Sequence, residues 1–253
     1  MTPTLNDCTF PPLQPPYDEG LRQAVVFILE KFSVVGIIAA GTIIRGRPAA
    51  TSDFDMYIFH DGNFRQRLQR RFNGIPTEIF VNTIDTAKTY LTSEIERGRP
   101  STAHMLSTGF VIFESDPTIQ RLREKAREVL QCNPNPTQKF LLQKRYGLAT
   151  QFEDGLDMRE SDPEAAIMIL AMAVRDMLQY AFWKANRWLP RDKDLLDATA
   201  SLDPQLCEWG RAFFSTPDQA TKIELAQKIA DVTIETHGFF EWDGDPDPLE
   251  PSI

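Results

Sequence analysis

Three acidic residues in the first third of the chain have the types and spacing of a metal site. Asp53 and Asp55 are separated by one residue at the start of the stretch 53–60, whose alternating pattern predicts a strand. Residues i and i+2 of a strand point to the same face, so both carboxylates are predicted to lie close together. Two such charges repel unless a cation neutralises them, and carboxylate oxygens suit hard divalent metals. Glu78, in a strand predicted over 77–81, would complete a site for one or two Mg²⁺ ions.

A glycine turn precedes the two aspartates. The β-branched apolar run 34–39 predicts a buried strand, which ends at Gly41 and Thr42. A glycine lets the backbone approach a phosphate closely, and the threonine hydroxyl and nearby amides can bind phosphate oxygens. Arg45 and Ser52 lie in the loop between the glycine and the acids. Because the forked donors of arginine suit phosphate, this loop is predicted to bind a nucleotide.

Predicted strands and predicted helices are interleaved up to residue 135. This order predicts an α/β domain in which helices pack around a small mixed sheet. Strands are predicted over 34–39, 53–60, 77–81 and 109–114, and helices over 17–32, 64–72, 84–98 and 117–131. The helix 64–72 would present a solvated basic face.

The pattern changes after the turn-rich segment 132–136. Beyond it, helical periodicity predicts five helices, over 137–158, 163–186, 191–200, 204–214 and 217–236. We therefore predict two domains, an α/β domain over 1–135 and an all-α bundle over 136–253. The acidic, proline-broken tail from residue 239 is either loose or docked through its aromatic side chains.

The net charge of the chain indicates which classes of partner it could bind. The 253 residues carry a formal net charge of −9, and the sequence pI is about 4.9. Proteins that hold long nucleic acids normally show a basic face, so the balance disfavours a nucleic-acid partner and favours a small or cationic substrate.

The cellular location is predicted from the lack of disulfide, signal-peptide and membrane-helix patterns in the sequence. The three cysteines form no CxxC pair, and the three histidines are scattered. The N-terminal residues have no basic start and no apolar run, and the uncharged stretch 32–44 is too short to span a bilayer as a helix. We expect a cytoplasmic protein with no membrane partner, and a homodimer is left open.

The stretch GTIIRGRPAATSDFDMYIF, residues 41–59, resembles the signature of the nucleotidyltransferase (polymerase-β-like) superfamily. That signature is a glycine–serine pair, a spacer of about ten residues, and an acidic–hydrophobic–acidic triplet in a strand. Here Thr42 stands where serine is commoner, and TEIFV, residues 77–81, resembles the strand with the third carboxylate. The resemblance covers residues 34–82. With its helical second half, the chain is most similar to antibiotic nucleotidyltransferases that act on aminoglycosides or lincosamides.

The resemblance implies transfer of a nucleoside monophosphate from a triphosphate, ATP, to a hydroxyl of a small acceptor, with release of pyrophosphate. Asp53, Asp55 and Glu78 would hold Mg²⁺, and the acceptor would lie between the domains. The general base in such enzymes is a carboxylate of the helical domain, and Asp154, in a cluster of acids near a predicted helix end, is the candidate. Lys193, in a loop rich in basic residues, is predicted to reach a nucleotide phosphate.

Alternatives stay open for several of these residues. Exposed acids on a strand or at a helix end would look like Glu78 and Asp154, and a tryptophan packed under a proline turn would explain the loop 186–193 without any ligand. The whole chain could also be a regulatory or toxin–antitoxin protein that acts on a protein or RNA, or that only binds nucleotide.

Overall fold

A computed structural model describes residues 3–236 and 239–244. The chain divides into two compact units, Met1–Asn133 and Pro134–Ile253, and the sequence predicted a division after residue 135. The predicted fold class, a mixed sheet with helices followed by a helical region, is confirmed. His237 and the tail beyond residue 244 lie outside the described residues.

The first unit contains a five-stranded sheet and the helices that cover it. The strands are β1 (Val34–Ala40), β2 (Phe54–His60), β3 (Gln66–Phe72), β4 (Ile75–Asn82) and β5 (Phe110–Glu114). The helices are α1 (Tyr17–Lys31), α2 (Ile84–Glu96), α3 (Ser101–Thr108) and α4 (Pro117–Gln131). Asp116 accepts a hydrogen bond from the Thr118 amide and caps α4, as predicted.

The strand order is β3-β4-β2-β1-β5, which places β2 at the centre. β2 runs parallel to β4, and the other neighbouring pairs are antiparallel. One face of the sheet packs on α1, where Phe54, Met56 and Ile58 share a core with the helix. α3 contacts β1 and β2, and on the opposite face Ile119 of α4 approaches Phe59 beside Gly36.

Strand β2 is buried on both faces, with one exception. Six of its seven residues are buried, and Asp55 is the one that is partly exposed. Each fully buried large apolar side chain contributes about 1.5–3 kcal/mol to the stability of the fold. The strand that carries the acidic site is therefore held rigidly by its apolar neighbours.

The helix predicted over 64–72 is wrong, because this segment forms the edge strand β3, paired antiparallel to β4. The two strands are joined by Asn73 and Gly74, whose φ angles are 46° and 79°. Positive φ at both central residues defines a type I′ turn, whose twist matches that of the flanking strands. Pairing with β4 thus outweighs the helical spacing of a short segment.

The helix predicted over 84–98 ends earlier, at Glu96, and α3 is not predicted by the sequence. Pro100 stands between the two helices, and the residue before a proline disfavours helical backbone. α3 is eight residues long and buries Ala103 and Leu106. A helix of this length shows too little hydrophobic periodicity to be predicted from the sequence.

The second unit, in its described residues, is built from helices and one 3-10 turn at Asp192–Asp194. The helices are α5 (Gln138–Asp157), α6 (Pro163–Lys184), α7 (Leu195–Leu202), α8 (Pro204–Ser215) and α9 (Gln219–Thr233). α6 lies at the centre of the core, where Leu170, Val174 and Met177 are fully buried.

Among the described residues, α6 passes a length and composition test for a membrane-spanning helix. Half of its apolar window, 50%, is buried inside the bundle. The core helix of a soluble protein passes the same test, so this is weak evidence for a membrane.

Alanine substitutions at two glycines test the hairpin. A Cβ at Gly74 or at Gly147 would meet nothing within 4 Å, but Gly74 has φ +79° whereas Gly147 lies within α5. Gly74→Ala is expected to lower the free energy of unfolding by about 1 kcal/mol, because the turn requires a left-handed backbone. Gly147→Ala is expected to raise it by about 0.5–1 kcal/mol. Urea denaturation measures both, and a neutral or stabilising Gly74→Ala would contradict the turn assignment.

Candidate active site

The sheet register brings two of the predicted carboxylates to one face. In the parallel pair β2–β4, Asp55 lies directly opposite Glu78. Cβ atoms at such positions of neighbouring strands are about 5 Å apart and point to the same side of the sheet. Asp53, which is exposed, comes one residue before β2 begins.

The pKa of Asp55 is strongly shifted by its surroundings. Burial, together with the smaller effects of the negative charges of Asp53 and Glu78, raises its pKa from 3.8 to about 6. The guanidinium groups of Arg45 and Arg67 act in the opposite sense and offset only part of the effect. The site therefore holds more negative charge than its own arginines neutralise, which favours a cation.

The glycine turn lies against the two aspartates. Gly41 has a φ of +98°, and a Cβ added there would lie 3.0 Å from the Asp53 carbonyl oxygen and 3.3 Å from Asp55 Oδ2. Both the backbone conformation and the space thus require glycine at this position. The backbone of the turn is in contact with the acidic pair without a side chain between them.

The ends of the loop between Gly41 and Asp53 are tied together by a side-chain bridge. Thr42 Oγ1 and Ser52 Oγ lie 2.7 Å apart in a hydrogen bond, and the Ala49 amide donates to Ser52 Oγ at 2.8 Å. Thr42 and Ser52, two of the predicted phosphate-binding residues, thus come together. Arg45 is exposed in this loop, near enough for its charge to act on Asp55.

Glu78 has two hydrogen-bond partners that the sequence does not predict. Arg67 Nε and Gln69 Nε2, both on β3, donate to Glu78 Oε1 at 2.5 and 3.1 Å. The sequence does not predict Arg67 as a site residue, because the pattern of its segment predicts a helix. The dipeptide Asn73-Gly74 between two possible strands was the signal that could have placed it.

Within residues 3–236 and 239–244, no group of three or more His, Cys, Asp or Glu side chains is arranged to hold a metal ion as it stands. Asp53, Asp55 and Glu78 interact through their charges, while Glu78 is hydrogen-bonded to β3. The role of Glu78 as a third ligand stays a prediction.

The two remaining candidates lie in the second unit. Asp154 is exposed in the last turn of α5, and Lys193 is exposed in the 3-10 turn before α7. Their roles as general base and as phosphate-binding residue stay predictions.

The fold has a known counterpart. The sequence matches no protein-family model and no curated protein. The structure matches the crystal structure of a nucleotidyltransferase-like protein from Exiguobacterium sibiricum with a TM-score of 0.52, over 80% of this chain and 69% of that one. The chain has a nucleotidyltransferase-like fold. At 16% sequence identity, the likeness is one of fold.

The pKa of Asp55 predicts how stability depends on pH. Because its pKa is raised in the folded state, its contribution is fully present below pH 4 and is lost as the pH rises through about 6. Asp55→Asn removes this loss, so we expect the variant to exceed the parent in free energy of unfolding by up to about 3 kcal/mol at pH 7.5 in a metal chelator. Urea denaturation between pH 4 and 7.5 measures the difference.

Glu124→Gln, at an exposed position of α4, is the matched control and should leave the pH profile unchanged. Added Mg²⁺ should stabilise the parent and not Asp55→Asn. An Asp55→Asn protein that is less stable than the parent at pH 7.5 would sink the electrostatic account of the site.

Proposed function

We propose that the protein is a metal-dependent nucleotidyltransferase. It transfers a nucleoside monophosphate from a triphosphate, ATP, to a hydroxyl of a small acceptor and releases pyrophosphate. The observation that carries the proposal is the contact of the Gly41 turn with Asp53 and Asp55, where a Cβ would lie 3.0 Å from the Asp53 carbonyl oxygen. A phosphate-binding backbone and a metal-binding pair in contact are what activation of a triphosphate requires.

The donor set fits Mg²⁺. Its atoms are carboxylate oxygens, which hard cations prefer, and their mutual repulsion at Asp55 favours a bound cation. Asp53 and Asp55 would hold the ion, with Glu78 as the third carboxylate. When bound, Mg²⁺ neutralises charge that develops on the phosphate oxygens during in-line displacement.

The residues of the loop orient the nucleotide. The backbone at Gly41 and the hydroxyls of Thr42 and Ser52 bind phosphate oxygens, and Arg45 adds a forked cationic donor from the exposed side of the loop. Lys193 of the second unit is proposed as a further phosphate ligand.

The chemical step exchanges one phosphorus–oxygen bond for another. The acceptor oxygen attacks the α-phosphorus, the bond to the bridging oxygen breaks, and pyrophosphate leaves with that electron pair. The hydroxyl proton passes to a general base, for which Asp154 is proposed.

The test is incubation with α-labelled ATP, Mg²⁺ and separate panels of small hydroxylated compounds, proteins and RNA. Asp55→Asn is expected to reduce transfer by at least about a hundredfold, because the carboxylate acts directly on the metal and the phosphates. Asp61→Asn is the matched control. Asp61 follows the far end of β2, accepts a hydrogen bond from Ser33 Oγ at 3.0 Å, and is expected to leave transfer unchanged.

Two outcomes would overturn the proposal. One is transfer that survives Asp55→Asn. The other is ATP binding, abolished by Asp55→Asn, without transfer to any acceptor or to the protein itself, which would assign the chain to the regulatory, nucleotide-binding class.

A further inference from the structure

The edge strand β3 supplies two hydrogen-bond donors to Glu78, whose side chain is only 15% exposed. Gln69 lies directly opposite Glu78 in the β3–β4 pair, and Arg67 lies opposite Phe80. Long side chains at opposite and diagonal positions of neighbouring antiparallel strands point to one face and reach each other. Both donors therefore stand on the face of the sheet that carries Glu78 and Asp55.

The donors of β3 meet a single oxygen of the carboxylate. Arg67 Nε and Nη2 both lie 2.5 Å from Glu78 Oε1, and Gln69 Nε2 lies 3.1 Å from the same atom. Hydrogen bonds between charged groups are about twice as strong as those between neutral groups. The carboxylate is thus fixed through Oε1, and Oε2 is the oxygen left to a further ligand.

The guanidinium of Arg67 is itself held by an aromatic ring. It lies 4.8 Å from the centroid of the Phe80 ring, which stacks on buried Tyr57 with 6.4 Å between the centroids. The Arg67 side chain is 64% exposed, and a freely moving arginine at such a position would lose much of the strength of its ion pair. The contact with Phe80 restricts that motion, so the buried strand β2 fixes the position of Arg67 through two stacked rings.

The donors and the acidic pair lie on opposite sides of Glu78. In the sheet, β4 stands between β3 and β2, so Gln69 is the neighbour of Glu78 on one side and Asp55 is its neighbour on the other. Carboxylates that bind a metal are usually hydrogen-bonded to a second layer of residues, which orients them. The arrangement around Glu78 has this form.

We propose that Arg67 is a positioning residue of the metal site. By holding Glu78 Oε1, with the help of Gln69, it presents Oε2 to the Mg²⁺ of the acidic pair. This inference rests on the proposed function, which supplies the metal. Arg67 has two opposed effects on a bound cation, because its charge repels the cation whereas its hydrogen bonds hold a ligand in place. A metal affinity that depends on Arg67 can therefore come only from positioning.

The test measures the affinity of the full chain for Mn²⁺, which accepts the same oxygen ligands as Mg²⁺ and whose free form is counted by EPR spectroscopy. Arg67→Met removes the donors and the charge, and it is expected to raise the Kd for Mn²⁺ at least about tenfold. Arg67→Lys, which keeps the charge and one donor group, should recover part of the affinity. Gln69→Met removes a donor without a change of charge, and it should raise the Kd about threefold.

Arg70→Met is the matched control. Arg70 lies on the same strand and is also exposed, but its guanidinium lies 4.6 Å from the centroid of the Phe27 ring, on the opposite face of the sheet. Its replacement removes the same charge and should change the Kd for Mn²⁺ by less than about twofold, towards tighter binding. Urea denaturation in a metal chelator checks that each variant folds, and Gln69→Met decides the test if Arg67→Met does not fold.

A second measurement follows the contact itself. The Nε–H signal of Arg67 in the ¹⁵N-labelled chain is assigned by its loss in Arg67→Lys, and its position without the carboxylate is taken from Glu78→Met. We expect Mg²⁺ to leave this signal at its hydrogen-bonded position. A shift on addition of Mg²⁺ to the position seen in Glu78→Met would mean that the cation displaces Arg67, and would overturn the inference.

The two proposals fail in different ways. If Asp55→Asn abolishes Mn²⁺ binding while Arg67→Met binds Mn²⁺ as tightly as the parent or more tightly, the positioning inference alone is wrong. If Arg67→Met weakens binding as expected and no nucleotide is transferred to any acceptor, the proposed enzymatic function alone is wrong. A parent protein that binds no Mn²⁺ overturns both.

Discussion

The repulsion between carboxylates on one sheet face is the constraint on which the site depends. Asp55 lies directly opposite Glu78 and two residues after Asp53, and burial together with these two charges brings its pKa to about 6. Carboxyl groups with a pKa raised in this way are enriched at functional sites, where charges are held together at a cost in stability. The surrounding structure maintains it: β2 is buried along the rest of its length, and its apolar neighbours outweigh the local electrostatic cost.

The polar groups around the acidic residues come from two different parts of the chain. On one side, the Gly41 turn and the Thr42–Ser52 bridge come from the loop between β1 and β2. On the other, Arg67 and Gln69 come from the edge strand and hold Glu78. The loop supplies hydroxyls and amides and the edge supplies guanidinium groups, so hydrogen-bond donors of two kinds flank one acidic centre.

The net charge of the whole chain differs in sign from the charge of the edge strand β3. A net charge of −9 suggested a small or cationic substrate, yet the edge strand beside the acids concentrates arginine. Net charge sums over the whole surface, whereas a ligand responds to the charges within about a Debye length, roughly 8–10 Å.

The sequence by itself determined the parts of the fold that rest on local rules. Alternation in residues 53–60 predicted the strand β2, the apolar run before Gly41 predicted β1, and Asp116 was predicted to cap α4. A hydrophobic period of about two residues for a strand or about 3.6 residues for a helix involves only neighbouring residues. It can therefore be recognised without knowing what packs against them. The fold class followed from the same patterns.

Only the tertiary structure decided which strands are neighbours. The pairing of β3 with β4 turned a predicted basic helix into an edge strand and brought Arg67 to Glu78, eleven positions away in sequence. α3 is too short to carry a periodic signal, and the register of Asp55 with Glu78 arises from hydrogen bonds between strands that β3 separates in sequence. Contacts of this kind depend on chain segments that meet only after folding, so residue types and spacing identified the acids while packing chose their partners.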